Sequence, residues 1–424
     1  MVDVWLPYGK SDVCVRIPAR NLLGSIEPKE QAGASDAQAE IERALNEPLG
    51  SKRLSEIAQP EHKIAIVVDD FTRSMPSHAM LLPVLAELNA AGVKDENVTV
   101  IFGCGTHRAV KPEEAARLLG EEALKRVKTV SHNCKAEDLV YVGKTKTQGN
   151  KVYLNRVFAE ADVKVLLGDA DFHYYAGYGG GRKSVLPAVA GEETIKNNHA
   201  MLLQVSAHAG ALAGNPVHED MTEAARLAKV DFILNVVTNS KGEIVKAFAG
   251  DLEQAFNEAV KLVDEMYRVP VDNRADIVVV SPGGYPADID LYQAYKALDN
   301  ALEVVKRNGV IILVAECAEG YGNEVFYDWM MRLGELKKVE HEIKHNFAMG
   351  GHKAYYLLKA LQHHPIILVS SLPDYYATSI FKVKTARAVN DAVNEALKMA
   401  GSAAKVWVMP QGTFTFPDIK SING

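Results

Sequence analysis

The stretch KIAIVVDDFTRSMPSHAMLLPVLAELNAAG, residues 63–92, decides the fold class. Its opening, IAIVV, is an unbroken apolar run ending at a pair of aspartates. A run without polar alternation reads as a strand buried on both faces, as in parallel sheets flanked by helices. SHAMLLPVLAELNAAG then reads as a helix. Between strand and helix stands a short polar cluster, DDFTRSMP. This strand, polar turn and helix form one α/β unit.

Working outward, the same unit recurs. VTVIFGCG (98–105) is a strand followed by the helix PEEAARLLGEEALKRV, and VKVLLGD (163–169) is a third strand. VDFILNVVT (230–238) and EIVKAFAG (243–250) read as a pair of strands, and DLEQAFNEAVKLVDEMY (251–267) as an amphipathic helix ended by Pro270. A second set follows in ADIVVVSPGG, GVIILVAE, PIILVSS and KVWVMP, with helices between. The expected architecture is therefore α/β, with two domains built on mainly parallel sheets. The first spans residues 1–269 and the second, smaller and Rossmann-like, 270–424. The start, VDVWLPYGKSDVCVRIP, reads as two short strands around a Tyr-Gly-Lys turn and falls within the first domain.

In open α/β sheets ligands sit beyond the carboxyl ends of the strands. Four polar clusters fall there: DDFTRSMP, GCGTHR, GDADFHYYAGYGGGRK and SPGGYPADIDLYQAYK. Their convergence at one cleft between the domains is the expected active site.

Composition narrows the function. The 424 residues carry a net charge of −7, with 48% hydrophobic and 24% charged residues. No basic cluster stands out, which argues against nucleic acid as a partner. Any bound anion must then be held by a few local cations. The four cysteines form no Cys-x-x-Cys pair, which argues against a zinc ribbon, an iron–sulfur site or a disulfide scaffold. No apolar run approaches the roughly 20 residues that span a bilayer. MVDVWLPYGK lacks the pattern of a signal peptide, so the expected setting is cytoplasmic, with no membrane partner.

Gly177–Ser184, GYGGGRKS, resembles a nucleotide loop at first sight. A Walker A loop needs glycine before its lysine, and Arg182 stands there. A Gly-x-Gly-x-x-Gly fingerprint fails at the same position. What remains is a glycine run, including Gly180, that brings backbone N–H groups, Arg182 and Lys183 toward an anion, or a tight connection whose cations are solvated. A cation next to Lys183 would lower its pKa and make the amine a better nucleophile.

The other candidates each have two readings. The Arg73 guanidinium suits a carboxylate or phosphate, or pairs with Asp69 or Asp70 on the surface. His107 and His173, each just past a strand, are acid/base candidates or hydrogen-bonded structural histidines. His199 is a metal ligand or a helix-surface histidine. Nothing near it supplies further ligands at zinc-site spacing. Tyr292 and Lys296 share a helix face at i and i+4, with Gln293 adjacent.

Taken together, TRSMPSH, GTHR, HYYAGYGGGRKSVLP, NNHA and GGYPADIDLYQAYK make the chain similar to the lactate racemase family over nearly its whole length. The resemblance implies a nickel-pincer nucleotide, a pyridinium-3-thioamide-5-thiocarboxylic acid mononucleotide carrying Ni(II). It implies that Lys183 is linked to the cofactor, with Asp70, Arg182 and Gly180 beside it, and that His199 completes square-planar nickel. It assigns His107 and His173 as the acid/base pair. Arg73, Tyr292, Gln293 and Lys296 become the substrate-binding groups. Cofactor biosynthesis enzymes are the implied maturation partners.

The chemistry suits those residue types. The Cα–H of a 2-hydroxy acid is too weakly acidic for easy proton removal, whereas loss of hydride gives a planar keto acid. That step needs an electrophilic acceptor and a base for the hydroxyl proton, and serving both enantiomers needs two bases. Two departures bear on the substrate. GGHKAYYLLKALQHHP lacks a tryptophan found in this region of some family members, and Tyr174-Tyr175 stands where Phe-Phe is expected. The substrate expectation is thus lactate, malate, a longer 2-hydroxy acid or a sugar acid. The competing readings are a nucleotide-dependent transferase or NTPase using Gly177–Ser184, and a non-catalytic carrier of the cofactor.

Overall fold

The computed structural model describes residues 1–73 and 75–419. The chain forms two units: Glu30–Asp264, and Met1–Lys29 together with Glu265–Gly424.

The Glu30–Asp264 unit is built on a six-stranded sheet. Its order is Ile244–Gly250, Phe232–Thr238, Val163–Asp169, Ile64–Asp69, Val98–Gly103, Lys128–Ser131. The opening run behaves as its composition requires: Ile64 to Val68 are all at most 2% exposed. They have parallel neighbours on both sides. Only Ile244–Gly250 runs antiparallel to its partner Phe232–Thr238. The short link between those two strands leaves no room for a crossover helix, so the chain must turn straight back. The helices Ala37–Asn46 and Ser77–Ala90 contribute Ile41, Leu45, Leu81, Val84 and Leu85 to the same core as Ile66, Val68 and Val100. The helix expected after the 98–103 strand is broken. Pro112–Arg126 contains Gly120 at φ 78° and ψ 152°, outside helical space, where glycine carries no Cβ penalty.

The second unit has its own six-stranded sheet, in the order Lys384–Thr385, Ile366–Val369, Val305–Val314, Ala275–Val280, Val406–Met409, Leu22–Ser25. Every pairing in it is parallel. The N-terminal hairpin, Val2–Tyr8 with Ser11–Ile17, puts Leu6, Val15 and Ile17 into one core with Ile277, Val279, Ile312 and Val408.

The domain limits therefore differ from the expected 1–269 and 270–424. Residues 1–29 belong with the C-terminal segment, and the later boundary lies at Asp264/Glu265. The physical cause is a pairing across almost the whole chain, Leu22–Ser25 against Val406–Met409, which leaves no local trace in sequence. No described helix is long and apolar enough to cross a membrane.

Candidate active site

In the Glu30–Asp264 sheet the chain moves outward from Ile64–Asp69 through Val98–Gly103 to Lys128–Ser131. It then crosses back to place Val163–Asp169 on the other side of Ile64–Asp69. The two strands on either side of that reversal splay their following loops apart, which makes a crevice at their carboxyl ends. Asp70 and Arg73 follow one of them, the 170–184 loop follows the other, and His107 follows the adjacent 98–103 strand.

His107 Nδ1 lies 2.7 Å from Asp70 Oδ2. Asp70 is 3% exposed, and its other oxygen accepts from the Thr72 hydroxyl and backbone N–H. Burial works to raise the Asp70 carboxyl, but the His107 and Thr72 hydrogen bonds outweigh it and hold it below its usual range. An ionised carboxylate only accepts, so His107 donates from Nδ1, and in the neutral ring the lone pair lies on Nε2. That is the arrangement of a general base with an orienting carboxylate.

Arg73 is exposed at its surface but ringed by acids. Burial of its surroundings opposes the charge. Asp69, Asp171, Asp169 and Asp70 more than offset that and keep the guanidinium protonated. Asp69 itself is raised, first by burial and then by Asp169.

After Asp169 the chain makes a small hairpin, Phe172–His173 against Gly177–Tyr178. The His173 ring lies 4.8 Å from Tyr174 and 4.5 Å from Tyr175, centroid to centroid. Its Nδ1 accepts the Ala176 backbone N–H at 3.2 Å, so the neutral ring holds its proton on Nε2. Burial, then Lys183 and Arg73, hold His173 well below its ordinary pKa. The two candidate acid/base histidines thus face outward differently, His107 with a lone pair and His173 with an N–H.

The glycine run is a close-packed connection. Gly180 has φ 80°, and a Cβ there would sit 2.7 Å from the Asp169 carbonyl oxygen. The amides of Gly179, Gly181 and Lys183 are already donated, to Asp171 O, Asn235 Oδ1 and Gly180 O. Such amides cannot also cradle phosphates, which counts against the NTPase reading.

Arg182 is 2% exposed and lies 4.3 Å above the Phe256 ring. Its Nε donates to His218 Nδ1, one terminal nitrogen to Gly179 O and Gly180 O, and the other to Ala176 O and Tyr178 O. A guanidinium has five N–H donors, and these contacts take them all. The expectation that Arg182 meets an anion directly does not match this geometry. It stitches residues 176–180 into one conformation.

Lys183 lies in the turn Gly181–Ser184 with Nζ 6.0 Å from the Tyr175 ring centroid. Burial first, then Arg73 and Arg182, push its amine down to about 7. A substantial share is therefore uncharged and nucleophilic near neutral pH.

His199, on the helix Glu192–Ala200, is 1% exposed. Burial and Lys183 hold it down to about 3, so the imidazole is neutral and able to ligate a metal. Among the described residues, no group of three or more His, Cys, Asp or Glu could hold a metal ion. One imidazole is one donor, so a metal held at His199 would need its remaining donors from a bound group rather than from the described side chains. Neutral His199 and a nucleophilic Lys183 fit that group.

Tyr292, Gln293 and Lys296 lie in the other unit, on the helix Leu291–Leu302 beyond the Ala275–Val280 strand. Asp290 caps this helix by accepting the Gln293 N–H at 2.7 Å. Sequence reasoning passed over Lys353, which is 1% exposed with Nζ 5.1 Å from the Tyr292 ring centroid. Burial, then Lys296, lowers its pKa. It also passed over Asp169 and Asp171. The available signal was GDAD at a strand end; Lys353, within an ordinary helical pattern, gave none.

Comparison with known proteins shows which family the chain resembles. Residues 8–210 match the lactate racemase N-terminal domain and residues 270–415 the lactate racemase C-terminal domain. The chain is 33% identical to a lactate racemase of Thermoanaerobacterium thermosaccharolyticum, over 97% of this chain and 98% of that protein. It is 32% identical to one of Lactiplantibacillus plantarum, over 97% and 99%. The solved lactate racemase apoprotein from T. thermosaccharolyticum superposes with a TM-score of 0.91 at 31% identity, covering 98% of this chain and 100% of that one. A Thermotoga maritima protein shares the fold at a TM-score of 0.66 and 19% identity, over 90% and 98% of the two chains.

Proposed function

The chain belongs to the lactate racemase family, and from that premise we propose that it inverts the Cα of a 2-hydroxy acid with a nickel-pincer nucleotide tethered to Lys183. The observation that carries this reading is the placement of Lys183 and the buried His199 around one side chain: Lys183 Nζ lies 6.0 Å and the His199 ring centroid 5.4 Å from the Tyr175 ring centroid. Lys183 would hold the cofactor through a covalent link, and His199 would ligate its nickel. When bound, the group would supply the electrophilic hydride acceptor that the reaction needs.

The protein's part is binding and proton transfer. Arg73, kept charged by its ring of acids, grips the substrate carboxylate. The His107 lone pair on Nε2 takes the hydroxyl proton, and Asp70 stabilises the imidazolium that results. His173 presents Nε2–H to the substrate oxygen. For the opposite enantiomer it acts as base, which requires a proton on Nδ1 and release of the Ala176 amide. Tyr292, Gln293 and Lys296 are further substrate-binding groups on the strength of the resemblance. Tyr174 and Tyr175 leave the substrate open between lactate and bulkier or more polar 2-hydroxy acids.

The test is to make the protein alongside the cofactor biosynthesis enzymes and weigh it intact. The expected result is a mass increase mapping to Lys183. His107→Ala and His173→Ala should keep that adduct and lose turnover roughly 10²–10⁴-fold. Racemisation by protein with unmodified Lys183, or near-normal rates in either variant, would overturn the assignment.

A further inference from the structure

The polar network behind His199 is almost fully buried. Asn198 and Asp220 are 0% exposed, Thr145 2% and Asn150 4%. Asn198 Nδ2 donates to Asp220 Oδ2 at 2.9 Å and to Val217 O at 3.1 Å. Both partners only accept, so the amide cannot be turned over without setting oxygen against oxygen. Its Oδ1 therefore faces His199 Nδ1, at 3.1 Å. A carbonyl oxygen only accepts, which places the His199 proton on Nδ1 and the lone pair of the neutral ring on Nε2.

Asp220 is itself anchored. The Thr145 hydroxyl accepts the Asn150 backbone N–H, which turns its proton toward Asp220 Oδ1 at 2.7 Å. Asn150 Nδ2 donates to Asp220 Oδ2 and to Thr194 O, each at 3.0 Å. The chain of donors thus joins the 145–150 turn, the helix Pro216–Ala228 and the helix Glu192–Ala200, and it has one direction throughout. Burying a carboxylate and two amides is costly unless every bond is made, and a network that is fully made fixes one geometry.

We propose that Asp220 and Asn198 are positioning residues that lock His199 in the Nδ1–H tautomer and so present Nε2 to the metal. This rests on the reading of His199 as the nickel ligand. It gives a role to Asn198, which lies in NNHA, and to Asp220, to neither of which a role had been assigned. The role is that of the outer partners which fix ring orientation at histidine–metal sites.

The test has two parts. The first uses nitrogen-15 histidine-labelled apoprotein, where long-range proton–nitrogen NMR reports the His199 tautomer without metal or turnover. The wild type should hold its proton on Nδ1. In Asp220→Asn the amide at 198 is free to turn, and in Asn198→Leu the side-chain acceptor is gone and the Ile195 backbone remains as a hydrogen-bond partner of the ring, so both should populate more of the Nε2–H form than the wild type. A wild-type His199 protonated on Nε2 overturns the proposal even if neither variant folds. So does an unchanged tautomer in both variants.

The second part exposes holoenzyme to a chelator and measures nickel per Lys183 adduct. Both variants should keep the adduct but bind nickel roughly 10–100-fold more weakly. Wild-type retention in both would overturn the positioning role. His199→Ala separates the two claims: if it retains nickel as the wild type does, the ligand reading fails and the metal half of the proposal with it, while the tautomer result still decides the lock.

Discussion

Lys183 is one residue whose chemistry was legible in part. Its neighbour Arg182 predicts a lowered pKa, but the larger contributions are burial and then Arg73, 110 positions earlier in the chain. In protein made without the cofactor, pulse labelling with an amine-reactive reagent should give Lys183 a midpoint near 7. Arg73→Gln should move it upward. A midpoint near the ordinary 10.5 would contradict the electrostatic account. Stability carries the same signature. The folded chain releases this proton near 7 and the unfolded chain near 10.5, so the unfolded state binds more protons between those values. The Lys183 contribution therefore makes the apoprotein more stable as pH rises across that window. Lys183→Met should flatten the rise in denaturant titrations.

At the scale of the element, the strands were legible because a parallel strand buried on both faces is a continuous apolar run. IAIVV and VKVLL need no partner to be recognised. The glycine run was misleading because its composition advertises phosphate, whereas its amides and Arg182 are spent on the loop's own backbone and on the Asn235 and His218 side chains. Hydrogen-bond satisfaction of this kind is a tertiary property and leaves no pattern in sequence. Arg182→Lys would break several of these bonds and leave carbonyls buried unpaired. A loss of about 2–4 kcal/mol in denaturant unfolding is expected, at roughly 1–3 kcal/mol for each group left unsatisfied. A parallel drop in Lys183 adduct formation should accompany it. Wild-type stability with impaired cofactor attachment would instead restore Arg182 as a direct ligand. The His107–Asp70 pair was half visible: both residues lie at adjacent strand ends, but only their contact reveals the tautomer.

For the whole molecule, the order of elements along the chain predicts two α/β units but not which unit owns the N-terminus. Leu6, Val15 and Ile17 are each 0% exposed in the core of the C-terminal unit. Deleting residues 1–29 should therefore destabilise that unit and leave Glu30–Asp264 folded. Hydrogen exchange would show lost protection in Ala275–Val280 and Val406–Met409, with Ile64–Asp69 unaffected. Uniform loss, or loss confined to 30–264, would contradict the partition. Which 2-hydroxy acid is turned over is a matter of individual side chains, and the strand-and-helix pattern is silent on it.

The most direct test of the central claim uses holoenzyme and single enantiomers of lactate, malate and longer 2-hydroxy acids carrying deuterium at Cα. At least one acid should reach a 1:1 mixture from either enantiomer, with the deuterium retained, because the Cα hydrogen leaves and returns with its electrons. Deuterium washed out into solvent, or no inversion of any acid by protein bearing the Lys183 adduct, would contradict the account.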